Sequence, residues 1–250
     1  MTPITIIIQA RTGSTRMPQK VILPFYDEKS IFELLIEKLL KVGFPIILAT
    51  TGNPIDDPLV NLAKKYPIEI FRGSEDNVLK RFIDTAVRFR ADKIIRICAD
   101  NPFLDIGSIN VLAEEFLKTP SDYLSVQFSE NRPSIKTHFG FFTEISTLET
   151  LKKVASLTSE KLYVEHVTNY IYGNPQIFNV RFLDAPEFIF NRYDIRLTLD
   201  TPVDFILQQK IYAEMMEQNP NFGIGEVVAY LDKHPDLLQQ MKPEIEKFSK

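Results

Sequence analysis

Residues 6–20 read IIIQARTGSTRMPQK. A β-branched apolar run ends at Gln9, and the segment that follows sets Arg11, Arg16 and Lys20 around Gly13, Ser14 and Thr15. A short continuous apolar run that breaks into a Gly/Ser/Thr segment reads as a buried strand feeding a loop. Backbone N–H groups of such a loop surround oxyanions, arginine adds a planar fork and lysine a mobile point charge. The composition is that of a polyphosphate cradle, set against the plainer alternative of a solvated basic loop. The P-loop pattern GxxxxGK[ST] is excluded, because Gln19 and not glycine precedes Lys20. So is GxGxxG, because Gly13 stands alone.

The first half alternates β-rich runs with amphipathic segments. ITIII (4–8) is the first strand, and Ser30 with Glu33 three residues later forms a capping box that opens a helix through Leu39. PIILAT (45–50) is a second strand, and Asp57-Pro58 starts a helix to about Tyr66. IEIF (68–71) follows, then a helix over 76–90 with Val78, Phe82, Ala86 and Phe89 on one face. KIIRIC (93–98) and a helix over 106–117 complete the series. This alternation predicts βαβ units, with a mostly parallel sheet covered by helices on both faces. Ligands of such sheets sit beyond the carboxyl ends of the strands, which selects loops 9–20, 50–57, 72–76 and 99–105.

The second half is less regular. YLSVQF and THFGFF are strand-like within 121–143, and helical patterns cover 144–155 and 159–172. IFNVRF (177–182) and IRLTLD (195–200) read as strands. Thr201-Pro202 with Asp204 opens a helix to about Glu217, and one or two helices and a charged tail follow. No repeat or linker divides the chain. The expected organisation is one domain over 1–250, with an inserted substructure at about 121–182.

The chain has 250 residues, 44% hydrophobic and 25% charged, which supports a sizeable core. Its net charge of −4 argues against nucleic acid as a partner, so a compact basic loop points to a small anionic ligand. Cys98, the single cysteine, lies in an apolar run and reads as a buried small hydrophobe. No apolar run reaches the ~18 residues of a membrane span. A soluble, cytoplasmic protein without membrane contact is expected.

Two carboxylates change the reading of the basic loop. Asp100 closes the KIIRIC strand in ADNP, and Asp200 closes IRLTL in DTPVD. Alone, each is a turn former or helix cap. Together, at strand ends beside a basic loop, they have the composition of a Mg²⁺–triphosphate site, since Mg²⁺ takes one or two carboxylates plus phosphate oxygens and waters.

At these residues the chain resembles the cytidylyltransferases that activate acidic sugars, among them the 3-deoxy-manno-octulosonate and acylneuraminate cytidylyltransferases. It is most similar to the branch of spore-coat polysaccharide biosynthesis protein F. IIIQARTGSTRMPQKVI carries the likeness, with ATTGNPIDDPLVNLA (49–63), FRGSEDNVLKRF (71–82), RICADNPFLD (96–105), EHVTNYI (165–171) and LTLDTPVDF (197–205) in order. The resemblance implies an α/β, Rossmann-like three-layer nucleotidyltransferase fold with a small inserted β/α substructure. It implies transfer of CMP from CTP to an acidic sugar for surface polysaccharide biosynthesis, with release of pyrophosphate.

By matching position, Ala10, Arg11, Gly13, Ser14, Arg16 and Lys20 would hold the nucleotide, chiefly its triphosphate. Arg72 and Ser74 would lie near its base or ribose. Asp100 and Asp200 would bind Mg²⁺, with Arg11, Lys20 and Asp100 as the catalytic set. Glu165 and His166 would face the sugar or a dimer contact, and a homodimer built from the 120–180 region is implied. The chain departs from the family on the sugar side. Where an acidic stretch like YPDGLDVEVF is expected, it has RPSIKTHFGFF (132–142), and Lys136 or His138 becomes a candidate for an acceptor carboxylate. Rival readings are a nucleotide-sugar-dependent glycosyltransferase, disfavoured because Asp100 is followed by Asn101 and Pro102 rather than an Asp-x-Asp triplet, and a non-catalytic nucleotide-binding relative.

Overall fold

Ile4, Ile6, Ile7 and Ile8 are all buried in β1 (Ile4–Gln9), so this strand is covered on both faces. A computed structural model describes residues 4–129 and 132–248, and the expected domain limits at 1 and 250 lie outside the described residues. After β1 come the small hairpin β2 (Pro24–Tyr26) and β3 (Lys29–Ser30), then α1 (Ile31–Leu39), β4 (Ile46–Thr51), α2 (Asp57–Ala63), β5 (Glu69–Gly73), α3 (Val78–Phe89), β6 (Lys93–Cys98) and α4 (Ile106–Lys118). The second half supplies β7 (Tyr123–Ser129), β8 (Arg132–Pro133), β9 (Glu144–Thr147), α5 (Leu148–Leu157), α6 (Lys161–Glu165), α7 (Asn169–Tyr172) and β10 (Val180–Asp184). It ends with α8 (Pro202–Gln218), α9 (Ile224–Lys233) and α10 (Pro235–Lys247).

The sheet runs β10-β7-β9-β6-β1-β4-β5, with β8 attached to β7. β6, β1, β4 and β5 are mutually parallel. β9 is antiparallel to both β6 and β7, while β10 is parallel to β7. Successive strand residues face opposite sides. Ile6 and Ile8 accordingly join a core with Phe32, Leu112 and Tyr212, under α1, α4 and α8. Ile7 joins another with Phe82, Leu151 and Ile171, under α3, α5 and α7. The three-layer α/β architecture is the one expected.

Several boundaries differ from the sequence reading. Residues 144–147 are strand β9, not the start of a helix, because Thr147 is the cap: its Oγ1 accepts the Thr150 N–H at 3.0 Å. The helix expected over 159–172 breaks at His166 into α6 and α7, where Thr168 turns inward to donate to Glu144 at 2.9 Å. β10 begins at Val180 rather than at residue 177.

IRLTLD (195–200) and THFGFF are not strands. Leu197 and Thr198 donate to His138 O, and Leu199 donates to Asp100 O, without forming a ladder. Gly140 adopts a φ of +71° there, and a Cβ at this position would lie 2.9 Å from Leu197 O, so glycine is what lets the two segments meet. α2 begins one residue earlier than expected, with Asp57 inside the helix and Asp56 before it, and α3 begins at Val78 with Asn77 as its cap.

Candidate functional site

The loops after β1 and β6, the 195–200 segment, the α6–α7 break and the end of α10 surround an open cleft of about 1090 Å³. It lies beyond the carboxyl ends of the parallel strands, where such sheets bind ligands. Ala10, Arg11, Ser14, Arg16 and Lys20 line it from the first loop, and Asp100 and Asp200 from the others. Lys136, Glu165 and His166 line its far wall. Gly13, Arg72, Ser74 and His138 do not line it.

The first loop is tied down by a buried carboxylate. Asp56 Oδ1 accepts the Thr12 N–H at 2.6 Å and the Thr12 hydroxyl at 2.7 Å, and Oδ2 accepts the Thr51 hydroxyl. Burial pushes the Asp56 carboxyl up, but the donors from Thr12 and Thr51 outweigh it and hold the group below its ordinary value. The TTGNPIDD stretch thereby fixes the backbone from which Arg11 and Ser14 project.

Lys20 is the centre of the charged cluster. Its Nζ lies 2.8 Å from Asp100 Oδ2 and 3.5 Å from Asp200 Oδ1, and it also donates to Leu199 O. Burial pushes the Lys20 ammonium down, but the carboxylates of Asp100 and Asp200 outweigh that and raise its pKa. Arg16 Nη2 pairs with Asp200 Oδ1 at 2.7 Å, and its guanidinium lies 5.0 Å from the centre of the Phe248 ring.

Behind Asp200, Arg196 is fully buried and makes a two-pronged pair with Asp204 at 2.7 and 2.8 Å. The Asp204 carboxylate also accepts the backbone N–H groups of Asp200 and Thr201, each at 2.9 Å, and so sets the approach of Asp200 to the cleft. His138 belongs to this support: it is buried, and Arg196 Nη1 donates to its Nδ1 at 2.6 Å. The expectation that it faces an acceptor is corrected on that ground. Lys136 is exposed and lies 5.0 Å from the centre of the Tyr172 ring on the cleft wall.

Arg72 sits on the rim. Its Nε donates to Thr51 O at 2.9 Å, Nη1 to Asp57 at 2.6 Å and Nη2 to Asn53 O at 2.7 Å, so it knits the β4–α2 loop to β5. Ser74 Oγ accepts the Asn77 N–H at 3.1 Å, beside the start of α3.

Arg96, Arg81 and Phe248 are among the cleft residues that escaped the sequence reading. Arg96 stands at the base of the wall, with Glu144 at 2.5 Å; Glu144 also takes the Tyr123 hydroxyl at 2.6 Å. A cation inside the apolar run KIIRIC was the available signal. Arg81 lines the cleft yet is only 1% exposed, and its Nη1 donates to Ser74 O at 2.7 Å. Phe248 gave no signal, since its place depends on how α10 packs.

Among the described residues no group of three or more His, Cys, Asp or Glu side chains forms a metal cluster. The donor pair is Asp100 and Asp200, both directed at one ammonium, a position already built for a cation. Two hard carboxylate donors fit a divalent ion that takes its remaining ligands from phosphate and water.

Residues 5–232 match the family described as Cytidylyltransferase. The spore coat polysaccharide biosynthesis protein SpsF of Bacillus subtilis is 31% identical over 243 residues, which cover 94% of this chain and 97% of that protein. A cytidylyltransferase structure from Leptospira borgpetersenii serovar Hardjo-bovis superimposes with a TM-score of 0.82 at 28% identity, covering 96% of this chain and 98% of that one. CMP:2-keto-3-deoxy-manno-octonic acid synthetase, solved with CTP, shares the fold at a TM-score of 0.61 and 14% identity, over 85% of this chain and 99% of that one. With the match spanning nearly all of the chain, and the cation cluster where the fold places its ligand, the protein belongs to the cytidylyltransferase family and is a nucleotidyltransferase.

Proposed function

We propose that the protein transfers CMP from CTP to a hydroxyl of an acidic sugar, releasing pyrophosphate, as a step of surface polysaccharide synthesis in the cytoplasm. The observation that carries this reading is the meeting of Lys20 and Arg16 with Asp100 and Asp200 at the mouth of the first loop. Arg11, Ser14 and Arg16 take the phosphate oxygens, Gly13 leaves the loop backbone open to them, and Ala10 packs beside the nucleoside. Asp100 and Asp200 would hold Mg²⁺, which when bound polarises the α-phosphate and offsets charge on the leaving group.

Lys20 follows the negative charge that grows on the pyrophosphate, an interaction stronger in the transition state than in the ground state. The names of the SpsF relative and of the CTP-bound synthetase support CTP as donor and a sugar as acceptor. The acceptor occupies the wall formed by Lys136, Glu165, His166 and Tyr172, and Lys136 is the cation available to an acidic group. A homodimer through residues 120–180 belongs to the same reading, and the exposed Leu157 and Leu162 are its apolar surface.

The test is thermal stabilisation by CTP, UTP, ATP and GTP, each with and without Mg²⁺. A ligand of the folded state adds about 2.7 kcal/mol at a hundredfold excess over Kd. A Mg²⁺-dependent shift with CTP is expected, followed by pyrophosphate release when acidic sugars are added. No shift with any triphosphate sinks the reading.

A further inference from the structure

Arg81 is a buried cation that Asp56 and Glu75 act on only through space, with no carboxylate in direct contact among the described residues. It lies on the first turns of α3, a helix with no acidic residue in its first turn, so the helix dipole repels it rather than stabilising it. Among the described residues it makes no ion pair. Nη1 is held by Ser74 O, while the Nε–H is buried without a partner. A buried donor left unsatisfied costs stability, and the cost is greater on a charged group. Burial, and Arg11 beside it, outweigh the opposing pull of Asp56 and Glu75 and lower the guanidinium's pKa to about 10, so it is still protonated at neutral pH. The side chain is also tightly seated: a Cβ on Gly73 would lie 3.1 Å from Arg81 Cγ. A fixed, donor-only fork in a cleft wall is a device for recognising adjacent acceptors.

The position decides which acceptors. Ser74 follows β5, whereas Asp100 follows β6, and the order β6-β1-β4-β5 separates these ends by three strand spacings, on the order of 14 Å. Phosphates that share a metal with Asp100 and Asp200 must stay within about 2.1 Å of it. The group that reaches Arg81 is therefore the opposite end of the nucleotide, its base. Arg72, the other guanidinium at this end, spends one N–H from each of Nε, Nη1 and Nη2 on Thr51 O, Asp57 and Asn53 O, which ties it to the β4–α2 loop. Cytosine presents two neighbouring acceptors, O2 and N3, whereas uracil presents O2 beside an N3–H donor.

Resting on the cytidylyl-transfer reading, we propose that Arg81 reads the base, donating its unpaired Nε–H and an adjacent N–H to cytosine N3 and O2, and so selects CTP over UTP.

Isothermal titration with Mg²⁺ and CTP, UTP, pyrophosphate or 3-deaza-CTP, which lacks the N3 acceptor, tests this on the wild-type chain and on Arg81→Lys and Arg81→Gln. A bidentate arginine–base contact discriminates by about 5- to 150-fold. The wild type is expected to bind CTP more tightly than UTP or 3-deaza-CTP within that range. Both variants should lose the CTP/UTP preference and keep their pyrophosphate affinity.

Equal weakening of CTP and UTP, or loss of pyrophosphate affinity, overturns the proposal and makes Arg81 a structural or phosphate residue. The 3-deaza-CTP comparison needs no variant, so wild-type binding of it as tight as CTP overturns the proposal even if both variants misfold. A wild type that binds CTP and UTP equally rejects base selection but leaves triphosphate binding standing. A wild type that binds no triphosphate overturns the transfer reading and this proposal with it.

Discussion

Asp56 shows what a single residue contributes to the basic loop. It is fully buried, and its oxygens take the Thr12 and Thr51 donors, so the loop that carries Arg11 is held by one carboxylate. Asp56→Ala strands those donors and is expected to cost about 1–3 kcal/mol, read as a lower midpoint in denaturant, with triphosphate binding weakened alongside. The pH dependence has a definite sign. The folded carboxyl lies below its ordinary value, so its contribution is complete above the unfolded pKa of about 3.9 and is lost as pH falls through the lower folded value. Wild type and Asp56→Ala should therefore converge in stability below about pH 4; a constant gap down to pH 2 would deny Asp56 this role. Neither Asp56 nor Arg81 was legible as a site residue. The Asp-Pro pair drew the helix start to Asp57 and left Asp56 without a role, and the apolar face of the helix over 76–90 was traced through Val78, Phe82, Ala86 and Phe89 without Arg81. Arg11, Arg16 and Lys20 were legible as cations clustered in the Gly/Ser/Thr loop after an apolar run, and Asp100 and Asp200 as carboxylates at the ends of apolar runs, where periodicity leaves them unexplained.

At the scale of elements, local hydrogen bonding decided what could be foreseen. The Ser30–Glu33 and Thr201–Asp204 boxes both form, each with side chain and backbone exchanging bonds. Their residues lie within one turn, so sequence suffices to find them. β9 was missed because its pairing with β6 and β7 is long-range, and Thr147 caps as well as it would sit inside a helix. The 195–200 segment alternates like a strand, but its partners are the irregular 138 and 100 backbones. Helices α5 and α6 carry the dimer proposal, with Leu157 47% and Leu162 53% exposed. Leu157→Glu with Leu162→Glu is expected to convert a dimer to a monomer in sedimentation velocity while leaving the circular dichroism melt near wild type. A wild-type chain that sediments as a monomer at all concentrations would dispose of the interface.

For the molecule as a whole, the order of strand and helix in the first hundred residues was enough to give the parallel sheet and the edge of it where the cleft opens. The second half could not be read so well, because β9 inserts antiparallel between β6 and β7, and the support that Arg196 and Asp204 give Asp200 is completed by His138, 58 residues from Arg196 in sequence. Lys20 draws these halves together, since it bridges a carboxylate from each. In the resting protein that ammonium acts as a built-in counterion, cancelling the repulsion between Asp100 and Asp200. A divalent ion arriving alone would have to displace it into open cleft, whereas one arriving with a triphosphate gives the displaced ammonium an anion to follow. Metal and nucleotide are then thermodynamically coupled, each raising the other's affinity by the same factor. Lys20→Met should invert the pattern: it should melt lower in chelator, gain more from Mg²⁺ alone than the wild type does, and lose the reciprocal enhancement by CTP. Equal Mg²⁺ shifts in the two proteins would show that the lysine holds no cation's place.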